Sequence, residues 1–184
     1  MTDLSRKINA LDVDGEREKL AFVAEIVGDV QMADYTIVEI DDQKPWGAYI
    51  RIDSEQAGRF INEFFPGLTL EAARLGIENA ELSPKLLVVA PAQRLSWQYH
   101  DRRAERWTFL TPGAYYKSAT DDQGDPIAAR IGDIVQFKRG ERHRLASLPG
   151  SYTVVAEIWQ HTDAAYPSNE EDIVRLSDDY QRAV

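Results

Sequence analysis

The sequence predicts a mainly β protein, a small barrel or sandwich with a helical N-terminal decoration and a helical insertion. Three observations predict it. From Pro84 onward, short β-branched and aromatic runs follow one another, each bounded by Pro, Gly or Asp, a texture of sandwiches and small barrels rather than of alternating βαβ units. Helical periodicity is confined to the residues before 77. With 184 residues and 43% hydrophobic content, the chain is long enough for one domain that buries roughly 70% of its unfolded surface.

The elements follow in order. Asp14 reads as an N-cap, with acids in the first turn where the helix dipole favours them. Leu20, Val23, Ala24 and Val27 then recur at helical spacing, and Gly28 is the expected stop. Tyr35 to Ile40 and Trp46 to Ile52 alternate as strands around a turn-rich 41–45. Residues 54–65 and 69–76 are helical in pattern, separated by Pro66-Gly67. Eight strands are then expected: 85–90, 95–100, 106–110, 114–120, 127–131, 134–137, 142–147 and 152–160. The acidic segment 169–180 is expected as a short helix or loop laid over the barrel. The organisation is therefore a single domain over 1–184: helix and strand in 1–43, a barrel in 44–160 with an insertion at 53–83, and an acidic tail in 161–184.

Charge and composition exclude several classes. Lys and Arg number 21 against 31 Asp and Glu, a net charge of −10, which argues against general binding of nucleic acid or anionic membranes. The absence of Cys removes disulfides, thiolate metal sites and Cys nucleophiles. No apolar run approaches the ~20 residues of a membrane span, and no signal-peptide pattern opens the sequence, so a cytoplasmic protein is expected. The charge is uneven, however. Residues 94–144 hold ten Lys and Arg against seven Asp and Glu, a local +3, while the rest holds eleven against twenty-four, or −13.

That basic segment contains a metal-ligand set. In the strand ending at His100, Ser96, Gln98 and His100 share one face. After the turn 101–104, Glu105 can return to the same interior, and Gly132 and Gly140 frame a second strand-borne His143. Gln98, His100, Glu105 and His143 offer nitrogen and oxygen donors only, a set suited to Zn, Mn, Fe(II), Co or Ni.

Their spacing resembles the two-part signature of the cupin superfamily, written here as Gln98-x-His100-x4-Glu105 closing at Gly113, then Gly132-x5-Lys138-x-Gly140-x2-His143-x3-Ser147. Lys44-Pro-Trp-Gly47, Leu95 to His100, Arg103-Ala-Glu105-x-Trp107, His143-Arg-Leu145 and the tail Glu171 to Arg182 together resemble the type II mannose-6-phosphate isomerase family. The resemblance covers about 44–52 and 84–182; the insertion, a lid or dimer element by this reading, lies outside it. It implies a double-stranded β-helix (jelly-roll) fold and one divalent metal ion, Zn foremost. It also implies aldose–ketose isomerisation of a small-molecule sugar phosphate through an enediol, and a homodimer. Departures occur at Asp101, Arg102 and Arg106, where the family carries His, and at Lys138, where it carries Pro.

On that resemblance, Glu157 and Lys85 are the expected proton-transfer groups. Glu157 sits in an otherwise apolar strand and matches a family Glu; Lys85 begins a strand that lines the family's pocket. Arg103, matching the family's Arg, and Arg175 are expected to grip phosphate, and Trp107, on the face of Glu105, to stack on the sugar. His161 is expected at the surface. The competing reading is a non-catalytic cupin that binds metal and sugar phosphate in a regulatory role. An Fe(II) oxygenase is disfavoured, because Arg102 stands where its His-x-Asp/Glu motif needs an acid.

Overall fold

A computed structural model describes residues 3–182. Helices α1 (Asp3–Asn9) and α2 (Lys19–Met32) precede strands β1 (Ile37–Asp41) and β2 (Gly47–Ile52). A 3-10 turn (Ser54–Gln56) leads into α3 (Ala57–Phe64), followed by the one-turn α4 (Leu70–Ala73). The remaining strands are β3 (Lys85–Val89), β4 (Trp97–Tyr99), β5 (Arg103–Phe109), β6 (Gly113–Ser118), β7 (Ile127–Ala129), β8 (Ile134–Phe137), β9 (Arg142–Ala146), β10 (Thr153–His161) and β11 (Val174–Ser177). They form two antiparallel sheets, in the orders β1-β2-β3-β10-β5-β8 and β11-β4-β9-β6-β7. All eight strands expected beyond Pro84 are present, so the chain is mainly β with helices before and between the strands.

The burial of β3 and β10 explains the architecture. Both are buried along their whole length, because the six-stranded sheet is covered on both faces. Leu86, Val88, Val154, Ala156 and Ile158 pack outward on Ile8, Phe22, Ile26, Phe60 and Phe64 of the helices. Leu87, Val89 and Val155 point inward to a second core with Trp107, Phe109, Phe137 and Leu145. A strand covered on both sides reads as a continuous apolar run instead of an alternating one. By the same two-residue period, Lys85 and Glu157 face the interior between the sheets. They lie directly opposite one another in the β3–β10 register.

Several elements differ from expectation. The first long helix begins at Lys19, five residues after Asp14, which instead bridges Ser151 and accepts a hydrogen bond from the Glu16 amide (3.0 Å). It runs through Gly28 to Met32, and its buried face is Phe22, Val23, Ile26 and Val30, so Leu20 is exposed. Within the insertion, Phe60, Ile61 and Phe64 of α3 are core residues on the outer face of the sheet. Each fully buried Phe there contributes about 1.5–3 kcal/mol by area. The second insertion helix shrinks to 70–73, with Thr69 as its N-cap and left-handed Leu75 and Gly76 ending it. The tail contributes a strand, β11, in place of a helix or loop, and it pairs with β4. No helix among the described residues is long and apolar enough to cross a membrane.

Candidate metal centre

His100 ends the β4 segment, and His143 lies on β9, where it pairs in register with Gln98. Gly140, at φ 74°, closes the turn before β9 and donates its amide to the His100 carbonyl (2.9 Å), which draws the two histidine-bearing segments together. Glu105 comes from β5 in the other sheet. His100, Glu105 and His143 are each about 2% exposed or less, and one ligand atom from each falls within 4.8 Å of the others. His100 Nε2 is 2.9 Å from Glu105 Oε1, and His143 Nε2 is 3.3 Å from Glu105 Oε2.

The opposite ring nitrogens define the tautomers. His100 Nδ1–H donates to the Asp172 carbonyl and His143 Nδ1–H to the Glu141 carbonyl (2.9 Å). A carbonyl only accepts, so each Nδ1 carries a proton and each ring turns its Nε2 toward the carboxylate, presenting a lone pair whenever the ring is neutral. His143 Nε2 is buried without a hydrogen-bond partner. Arg103 lies against one side of this group, donating to Glu105 Oε1 and His100 Nε2, and leaves the His143 Nε2–Glu105 Oε2 side without a donor. The donor set could therefore hold a metal ion, both histidines being already fixed through their far nitrogens. Phe137 stacks on His143 (4.6 Å between centroids) and Trp107 meets it edge-on (5.5 Å), so the ring is held on two sides.

Electrostatics favour the ligating protonation states. Burial pulls His100 below its ordinary range, which leaves it neutral. Burial opposes the ionisation of Glu105, but the neighbouring positive charge and hydrogen bonds outweigh it and hold the carboxyl well below the usual range. With His100 neutral, we assign that role mainly to Arg103, whose Nε donates to Glu105 Oε1 at 2.9 Å. Glu157 behaves oppositely. Burial, reinforced by the charge of Glu105, pushes it up to about 8, against the pull of Lys85 and Arg103.

The other residues singled out in the sequence fall around one cavity of about 240 Å³ beside the triad. Gln98, Lys85, Glu157, Arg103 and Arg175 all line it. The oxygen of Gln98 already accepts from Ser96 Oγ (2.5 Å). Arg175 reaches the cavity because β11 sets it opposite Gln98. Arg103 is only 4% exposed, and its donors go to Glu105, Ser168 Oγ, the carbonyls of Asn169 and Asp172, and His100 Nε2. A guanidinium so occupied tethers the tail to the triad and has little left for a phosphate. Trp107 is buried behind the cavity instead of on its wall, and its Nε1–H donates to Glu157 Oε1 (2.9 Å).

Two residues carry more than their sequence context indicated. Asp172, in the acidic segment expected to lie over the barrel, is 5% exposed. Its carboxylate accepts from the amides of Asp101 and Arg102 and from Ser168 Oγ, while its carbonyl fixes His100. His161, expected at the surface, is buried, and its Nδ1 accepts from the Ser168 amide (2.8 Å). Asp172 falls within the tail motif, but nothing local marks it or His161 as a buried hydrogen-bonding group, because Asp172 is buried by amides about 70 positions away in sequence.

No family model matches the sequence, and no curated protein is significantly similar to it. Among solved structures, the capsular polysaccharide assembling protein CapF from Staphylococcus aureus superposes over 78% of this chain with a TM-score of 0.51 and 11% identity. A second CapF crystal structure gives 0.50 over the same share. This chain spans 35% of the length of the first and 32% of the second. A vicilin from hazelnut, Corylus avellana, matches over 66% of this chain and 31% of its own at a TM-score of 0.47 and 8% identity. The fold is a cupin-like double-stranded β-helix, and inside it a buried His-Glu-His group can hold a metal ion.

Proposed function

We propose that the chain is a metal-dependent aldose–ketose isomerase acting on a sugar phosphate, similar in chemistry to mannose-6-phosphate isomerases. One observation carries the reading: two tautomer-fixed imidazoles and a buried carboxylate converge beside a cavity whose wall holds a second, proton-retaining carboxyl. His100, Glu105 and His143 would hold the ion, with Gln98 on the adjoining strand, and a divalent ion there, Zn foremost, supplies charge stabilisation for a developing oxyanion.

The chain's own groups handle the proton. Aldose–ketose exchange moves one proton from C2 to C1 and one between the two oxygens, with no net change in oxidation. Glu157 takes the carbon-bound proton and returns it to the neighbouring carbon, a role suited to a carboxyl that burial raises above its ordinary range. The Trp107 indole N–H holds Glu157 in place through Oε1. Lys85, opposite Glu157 in register, places a positive charge beside the same wall.

The test is isotopic. The metal-loaded protein is incubated with mannose-6-phosphate or fructose-6-phosphate in D₂O, and deuterium at C2 of the aldose is followed by NMR. Exchange lost in Glu157→Gln supports the reading. A metal-bearing protein that exchanges none of several sugar phosphates is a binding protein, and the isomerase assignment falls.

A further inference from the structure

The cations on the cavity wall are held in different ways. Arg182 donates to Asp178 (3.0 Å), Lys44 pairs with Asp41 (2.9 Å), and Arg103 is tied to Glu105 and the tail. The Lys85 side chain is only 5% exposed, yet its ion-pair partner Glu170 is 62% exposed (Nζ to Oε1, 2.7 Å). An ammonium withdrawn from water needs a counter-charge. Glu157 faces Lys85 but turns Oε1 to Trp107. The other neighbours of the ammonium are rings: Trp159 at 3.7 Å and Tyr49 at 5.7 Å from Nζ. Lys85 thus lies between aromatic walls, and a solvent-facing carboxylate completes its surroundings.

The backbone around Glu170 is pinned. The Asn169 carbonyl accepts from Arg103 Nη1 (3.0 Å) and from the Asp172 amide (3.1 Å). Glu170 can therefore leave Lys85 by side-chain rotation alone, without opening the loop. We infer that Lys85 is the anchor of an oxyanion site and that Glu170 is its built-in competitor, displaced when the phosphate or carboxylate of a ligand takes its place on Nζ. The inference rests on the proposed reading of the cavity as a substrate pocket, and it transfers the anion-gripping role from the occupied Arg103 to Lys85.

The test is calorimetric titration of the metal-loaded protein with inorganic phosphate and, separately, with acetate. Glu170→Gln, at an exposed position, is expected to bind the anion about fivefold tighter than wild type, the scale of one partly exposed ion pair. Lys85→Met is expected to lose binding at least tenfold, while Lys85→Arg retains it and shows that the pocket still folds. Repeating the titration in His143→Ala separates the anchor from the metal: binding that still depends on Lys85 supports the anchor even if the isomerase reading fails. Tightening with phosphate assigns a phosphorylated ligand, and tightening with acetate alone assigns a carboxylate. Equal affinities in wild type and Glu170→Gln for both anions, or undiminished binding in Lys85→Met, would overturn the inference.

Discussion

Glu105→Gln removes the one carboxylate that the two imidazoles and the Arg103 guanidinium share. In chelator, the consequence is electrostatic. Glu105 is 2% exposed and lies 2.9 Å from Arg103 Nε. Breaking a buried pair on one side costs about 3–5 kcal/mol. Arg103 keeps its bonds to Ser168 and the tail carbonyls, so the lower end, about 3 kcal/mol, applies. For a domain of this size each kcal/mol moves Tm by about 2–4 °C, so a drop of about 6–12 °C is expected. With metal at a hundredfold excess over Kd, the wild type gains a further ~2.7 kcal/mol, and the variant gains little. Circular-dichroism melts in chelator and in added Zn read both differences. A variant melting within about 2 °C of wild type in chelator, and rising equally with metal, would refute both the buried pairing and the ligand assignment.

Three further expectations can be measured. Asp172→Ala frees the loop after His100, and metal affinity is expected to fall roughly tenfold with an altered Co(II) absorption spectrum, as for other outer-shell partners; an unchanged spectrum and affinity would show that the tail merely packs there. Glu157, titrating near 8 when folded, binds more protons in the folded than in the unfolded state between its unfolded value of about 4.5 and about 8. Its contribution to stability is complete below that window and is lost as pH rises through it, so Glu157→Gln should melt above wild type at pH 9 and lose the advantage by pH 5. Gly113→Ala places a methyl 2.5 Å from Thr153 Cγ2; chemical denaturation should show a loss of about 1–3 kcal/mol, and a neutral substitution would mean that β6 can shift away from β10.

The strands and all three members of the triad are legible in the sequence because they depend on local chemistry. Turn residues bound each strand beyond Pro84, and two-residue alternation puts Gln98 and His100 on one face. The end of the chain was not legible in that way. Asp172 reads as one acid among several, and its burial is decided by the amides of Asp101 and Arg102, about 70 positions away in sequence. Arg103 illustrates the complementary error. Its type and position favour phosphate, but the tail carbonyls that occupy it become visible only when β11 is paired with β4. Helix α2 was misplaced because Asp14 and Gly28 resemble caps, whereas packing of Phe22 and Ile26 on the sheet sets the helix's extent.

The pairing of β11 with β4 also bears on the time at which the His100 tautomer is fixed. In a chain synthesised from its N-terminal end, His143, the last of the three to emerge, precedes Asp172 by about 1.5 to 6 seconds at ~5–20 residues per second. During that interval His100 lacks the carbonyl that holds its Nδ1 proton, and either ring nitrogen can present a lone pair. Pairing of β11 with β4 brings up the Asp172 carbonyl that commits His100 to its Nδ1–H tautomer, so the direction of the Nε2 lone pair depends on a segment 72 positions further along the chain.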